Sequence, residues 1–239
     1  MHTEQWQSRQ TALVGQEAMA RLARSRVLVF GAGGVGGYIV EALVRGGVGA
    51  IGIVDGDVFA PSNLNRQIIA TLDTIGQPKA SVAARRIKKI NPDCEAVAFD
   101  IFVTAENAGD VLDVFCPDYV ADAIDTVSCK LAIIAAAKER GIPIITSMGT
   151  GNKLDPTRFR ITDIAKSSIC PLAKVMRREL RARGITGVEA LWSDEEPRKP
   201  QGLEHENAHG RHVPASISYV PPVAGLMIAG HILRRLGGF

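Results

Sequence analysis

Short apolar runs and amphipathic stretches alternate along most of the chain. Residues 27–30 are continuously apolar and end in glycine, the pattern of a strand buried on both faces. Mostly apolar runs at 51–54, 96–99, 119–121 and 142–146 read as further strands. Helical periodicity fills the gaps, predicting helices over 35–44, 79–90, 105–115 and 128–140, after an earlier one over 15–23. Pro78 suits the start of the second of these, Asn91-Pro92 stops it, and Gly141 closes the last. Residues 63–78 read as irregular or short-helical. Strand–helix alternation of this kind predicts an α/β fold: a Rossmann-like, doubly wound, mostly parallel sheet with helices on both faces. Its ligand belongs at the carboxyl ends of the strands.

From Gly149 the rhythm changes. Residues 159–164 alternate like an edge strand, 172–183 form a strongly amphipathic helix, 217–220 read as a strand and 223–236 as a closing helix. Residues 193–212 are polar and contain proline, so a mobile loop is expected there. The expected organisation is one domain over 1–239. A nucleotide-binding core occupies 1–150, and an extension over 151–239 serves substrate binding and dimerisation.

Composition adds little to this picture. A chain of 239 residues can bury one large core, and a net charge of +3 does not by itself point to nucleic acid. The four cysteines, at 94, 116, 129 and 170, include no C-x-x-C pair, which argues against a cysteine zinc site. The polar start has no signal-peptide character, and the apolar stretch 213–233 is interrupted by Pro214, Pro221, Pro222 and His231. A cytoplasmic protein with reduced thiols is the expectation.

The chemistry begins after the first strand. Gly31, Gly33 and Gly36 spell G-x-G-x-x-G, with Gly34 in addition. Each of the three has its own job: a tight turn, close approach of backbone to phosphate, and close packing of helix on strand. The helix that follows offers free N–H groups to an anion. The second strand ends in Asp55, where an acidic residue meets a ribose. This combination says nucleotide; NAD, FAD, SAM and ATP all remain open.

Further motifs narrow the choice. Asp55-x-Asp57 is followed by Asn63-Leu-Asn65-Arg66-Gln67, then Gly76-Gln-Pro-Lys79, Ile90-Asn91-Pro92 and a strand-end Asp125, with Arg9-Gln10 ahead of them all. Over roughly residues 8–150 this ordered set resembles the ATP-dependent adenylating family of ubiquitin-activating enzymes and bacterial activators of sulfur-carrier proteins. Asp163-Ile-Ala-Lys166, Pro171-Leu-Ala-Lys174-Val-Met-Arg177-Arg178 and Ser218-Tyr-Val-Pro221-Pro222-Val-Ala-Gly225 look like its tRNA threonylcarbamoyladenosine dehydratase branch.

The resemblance implies ATP and Mg²⁺, a carboxyl-adenylate, and ring closure with loss of water. It implies that Asp55 accepts from the ribose hydroxyls; Asp57 and Asp122 stand between loop structure and a supporting role. Asn63, Arg66 and Lys79 would then hold the phosphates, with Gln67 also among the nucleotide-binding residues, and Asp125 would bind the metal at the reacting centre. Arg9 would reach the ATP of a second subunit in a homodimer. Expected partners are tRNA and a sulfur-transfer protein of the cysteine-desulfurase type, not DNA. Two other readings stand beside this one: adenylation of a sulfur carrier's C-terminus, and a redox or regulatory NAD module.

Plain alternatives accompany each residue. Asp55 suits a turn cap, Arg66 a surface ion pair, Lys79 a solvated first-turn lysine and Asp125 a helix N-cap. Lys174, Arg177, Arg178 and Arg181 recur at helical spacing and form a candidate stripe for tRNA phosphates, against the alternative of a solvated face. Cys170 stands where the branch is expected to carry aspartate. That raises a thioester or persulfide step against the plainer reading of a buried small hydrophobe. His205, His209 and His212 have metal-like spacing but sit in the expected loop.

Overall fold

A computed structural model describes residues 3–200 and 214–239. Three helices, α1 (Thr3–Trp6), α2 (Ser8–Val14) and α3 (Gln16–Arg24), precede the first strand. There follow β1 (Arg26–Phe30), α4 (Gly36–Arg45), β2 (Ala50–Val54), α5 (Lys79–Ile90), β3 (Glu95–Phe99) and α6 (Ala108–Phe115). Then come β4 (Tyr119–Asp122), α7 (Val127–Glu139), β5 (Ile144–Ser147), β6 (Phe159–Asp163), α8 (Pro171–Ala182), β7 (Glu189–Ser193) and α9 (Val220–Gly237).

The strands form one sheet in the order β3-β2-β1-β4-β5-β7-β6, parallel except for β6, which runs antiparallel to β7 at the edge. Alternate side chains of each strand feed opposite layers, as the two-residue period requires. Val27, Val29, Ile51 and Ile53 pack with Ile39 and Leu43 of α4 and with Ala224 and Ile228 of α9. Leu28, Phe30 and Val54 point the other way, onto Leu112 and Phe115 of α6 and Ile133 and Ile134 of α7. The centre of the sheet is therefore covered on both faces, and its inner strands read as mostly apolar runs for that reason.

Two expectations fail. Residues 217–220 are not a strand: 214–219 run without regular structure, and Val220 opens α9. Pro221 and Pro222 occupy its first turn, where no intrahelical N–H is needed. Ser193 is not loop but the last residue of β7, a strand the apolar pattern did not predict. It pairs with β5 on one side and β6 on the other, so the late segment continues the same sheet. The rest of the expected loop, from residue 201, and with it His205, His209 and His212, lies outside the described residues. No helix among the described residues is long and apolar enough to cross a membrane.

Candidate active site

β1 and β4 are neighbours from which the chain winds outward in opposite directions, and their carboxyl ends open a crevice. A cavity of about 770 Å³ lies there. Gly31, Gly33, Gly34, Asp55, Asp57, Asn63, Arg66, Gln67, Lys79 and Asp125 all line it. Residues spread over 95 positions are thus gathered from the loops after β1, β2 and β4 and from the start of α5.

The glycines divide their work. Gly31 has φ of +91°, and a Cβ there would meet the Ala123 carbonyl at 3.0 Å. Gly36 does not line the cavity; a Cβ on it would collide with the Gly31 carbonyl oxygen, so it lets α4 sit close against β1. Gly33 is open: a Cβ would find only the Gln67 amide nitrogen, 3.8 Å away, and would fill space that a phosphate can use.

Asp55 ties the glycine loop to the end of β2. Its carboxylate accepts from the Ala32 N–H at 2.7 Å and the Asp57 N–H at 2.9 Å. Burial pushes its carboxyl above the ordinary aspartate value, and the Lys79 ammonium nearby opposes the rise. The turn-cap reading is therefore part of the truth. A carboxylate nonetheless has more lone pairs than these two bonds use.

Lys79 is not a solvated first-turn lysine. It is 7% exposed, and its Nζ lies 3.0 Å from Asp57 Oδ2, which supports a cation placed against the dipole of α5. Arg66 donates from Nη1 to the Ser62 carbonyl at 2.9 Å and to Asn65 Oδ1 at 2.8 Å, and burial lowers its pKa. It has no carboxylate partner among the described residues. Asn63 Oδ1 accepts from the Ala60 N–H, which leaves its amide hydrogens as donors in the cavity wall. Gln67 is buried, and its Oε1 has no partner among the described residues.

Asp125 is exposed in the cavity mouth. It does not cap α7, whose N-cap position is Thr126. Its carboxylate accepts from the Thr126 hydroxyl at 3.4 Å. Arg9 stands exposed on α2 and is absent from this cavity. Cys170 is 2% exposed and packs in the apolar layer with Met148, Ala173 and Met176, as a small hydrophobe does.

The α8 stripe is only partly available. Arg177 turns inward and donates to the Ser167 carbonyl at 2.8 Å and hydroxyl at 2.6 Å. Arg178 pairs with Glu179, whereas Lys174 and Arg181 are exposed with no acidic partner among the described residues. The helix begins beside the cavity, since Leu172 lines it.

Sequence reading missed Lys130. This residue of α7 is fully buried, and its Nζ lies 2.8 Å from Asp122 Oδ2, 3.0 Å from Thr146 Oγ1 and 2.8 Å from the Ser147 carbonyl. The signal was a lysine inside an apolar helical run, eight residues after the end of β4. The far wall of the cavity, from Ser147 to Gly151 with Ser216 and Pro221, was also unread.

Comparison with known proteins decides the family. The ThiF family model matches residues 7–239. The chain belongs to the ThiF family. Within this family it is 43% identical over 238 residues to a tRNA threonylcarbamoyladenosine dehydratase of Bacillus subtilis, covering 96% of this chain and 93% of that one. The crystal structure of the Escherichia coli tRNA N6-threonylcarbamoyladenosine dehydratase with AMP superposes with a TM-score of 0.89 at 34% identity, covering 98% of this chain and 95% of that chain. Its ATP complex gives 0.88 over the same coverage. A sulfur carrier protein adenylyltransferase of Thermus thermophilus is 39% identical, but over 55% of this chain and 48% of its own length.

Proposed function

We propose that this chain uses ATP to cyclise N6-threonylcarbamoyladenosine in tRNA, with loss of water, through a carboxyl-adenylate. The observation that carries this reading is the convergence of an open glycine backbone, Asp55, Arg66, Lys79 and Asp125 on one cavity. The chain is also similar to a dehydratase over nearly the full length of both proteins.

A carboxylate does not react with a weak nucleophile at neutral pH. Attack of the threonyl carboxylate on the α-phosphorus of ATP expels pyrophosphate and turns that oxygen into part of a leaving group. In our reading the N–H groups around Gly33 and Gly34 cradle phosphate, and Asp55 accepts from the ribose hydroxyls. Asn63, Gln67, Arg66 and Lys79 spread the charge that builds on the triphosphate, with Asp57 orienting Lys79. A nitrogen of the threonylcarbamoyl group then attacks the activated carbonyl, loses its proton and releases AMP as a five-membered ring closes. The intramolecular geometry makes this step fast without a protein nucleophile. The buried state of Cys170 fits that economy.

Magnesium fits at Asp125. The carboxylate is exposed in the cavity and, among the described residues, engaged only by a neighbouring hydroxyl, and Mg²⁺ takes one or two carboxylates with phosphate and water completing its shell. When bound it supplies charge neutralisation on the phosphates.

The test is mass spectrometry of tRNA nucleosides after incubation with ATP. Loss of one water from threonylcarbamoyladenosine, with equal amounts of AMP and pyrophosphate, is expected. Asp125→Asn should lower turnover by about 100-fold or more while leaving the melting temperature unchanged, because the side chain is exposed. An unaltered nucleoside, with AMP transferred instead to the C-terminus of a small sulfur-carrier protein, would replace this reading with the other one.

A further inference from the structure

Lys130 carries a buried charge that the chemistry above does not use. It and Asp122 are both 0% exposed, so the pair has surrendered all contact with water. Such burial is costly unless every polar atom is satisfied, and an apolar pair of similar volume would serve the fold as well or better. Here the satisfaction is complete. Nζ meets Asp122, Thr146 and the Ser147 carbonyl, and the Thr146 hydroxyl also donates to Asp122 Oδ2 at 2.6 Å. The remaining oxygen, Asp122 Oδ1, accepts from the Ile124 N–H at 3.2 Å.

The location gives this cluster a use. Asp122 ends β4, and the next three residues run to Asp125; Thr146 and Ser147 end β5, and the next residues form the far cavity wall. Lys130 therefore clamps two adjacent strand ends whose following loops both line the cavity. One loop bears the carboxylate assigned to the reacting centre, and the other lines the same cavity. The bond to Ile124 transmits the clamp to the residue before Asp125. Asp122, with its carboxylate taken up by Lys130, Thr146 and Ile124, is held out of competition for a metal.

We propose that Lys130 is a positioning residue for carboxyl activation: by joining Asp122 to Thr146 and Ser147 it fixes the distance between Asp125 and the wall that holds the acid. This inference rests on the adenylation reading. It predicts a split between binding and chemistry, because Asp55, Arg66, Lys79 and the glycine loop, all outside the clamp, dominate nucleotide affinity. Displacement of a reacting group by about 1 Å typically costs about 100-fold in rate.

The test compares the wild type, Lys130→Met and the double variant Lys130→Met/Asp122→Asn, which leaves no unpaired buried charge. ATP affinity is read by calorimetry, AMP formation with modified tRNA by single turnover, and folding by thermal melting. Lys130→Met alone should melt early. The double variant should recover the melting temperature and bind ATP within about threefold of wild type, yet form AMP about 100-fold more slowly. A double variant that melts and turns over like wild type would overturn the inference and leave the adenylation reading standing. Equal losses in ATP affinity and rate would also overturn it, since they indicate general loosening. A wild-type chain that leaves modified tRNA unchanged while binding ATP would instead defeat the reading beneath.

Discussion

Gly36 shows how tightly single residues bind fold to site. The phosphate loop exists because α4 begins directly against the Gly31 carbonyl, an approach that leaves no room for a methyl group. Gly36→Ala is expected to destabilise the chain by about 1–3 kcal/mol through overpacking against backbone. It should also weaken ATP binding, because relief of the clash moves the loop. Thermal melting and calorimetry check both, and a variant that melts and binds like wild type would refute the packing argument. Gly33→Ala makes the contrast: its Cβ meets open cavity, so affinity should fall with little change in melting. The motif already gave the packing glycine and the phosphate-facing glycine separate jobs, and the folded chain supplies the atoms: the Gly31 carbonyl against Gly36, open cavity beside Gly33. Lys79 and Asp55 were legible in the same limited sense. Their positions followed from the pattern, while the Asp57 ion pair and the Ala32 hydrogen bond needed the chain to be folded.

At the scale of elements, what the sequence concealed has physical causes. The buried parallel strands were readable because both their faces are covered, which makes apolar runs of them. β7 was not, since Glu-Ala-Leu-Trp-Ser offers only three apolar residues between polar ends, and its burial comes from pairing on both sides. Residues 217–220 include Ile217, Tyr219 and Val220, types that favour strands, yet β5 already has β7 on its outer side, and the segment leads into α9. Lys130 was hidden because its partners at 122, 146 and 147 meet it only through the sheet order. In α8, periodicity put four cations in one stripe, and folding withdrew Arg177 to hold Ser167. Two kinds of variant follow. Arg177→Ala should cost about 1–3 kcal/mol of stability, as loss of a charged hydrogen-bonding group does, with little change in the salt dependence of tRNA binding. Lys174, Arg178 and Arg181 changed together to alanine should leave melting unaltered. They should reduce the slope of log affinity against log salt by about two to three units. An unchanged slope would return the stripe to the status of a solvated face.

At the scale of the whole molecule, the position of Arg9 demands an explanation. It is exposed on α2, outside the cavity that gathers the other candidate residues. An arginine that serves this site from the same subunit should line it. One that serves from a second copy must instead be exposed on its own subunit, as Arg9 is. A symmetric dimer would then build each site from both chains, and the arrangement can be tested without a structure of the complex. Arg9→Ala and Asp125→Ala should each abolish turnover as pure homodimers. Mixed after subunit exchange, half of the dimers carry one subunit of each kind. In these, one site combines an intact Asp125 with an intact Arg9 from across the interface, and the other site has neither. Turnover should therefore return to about a quarter of the wild-type value. If Arg9 instead acts within its own chain, every site in the mixture lacks one residue or the other, and no activity returns. Both variants lie on exposed side chains, so their melting curves should match wild type and leave the quarter-activity result to report on geometry alone.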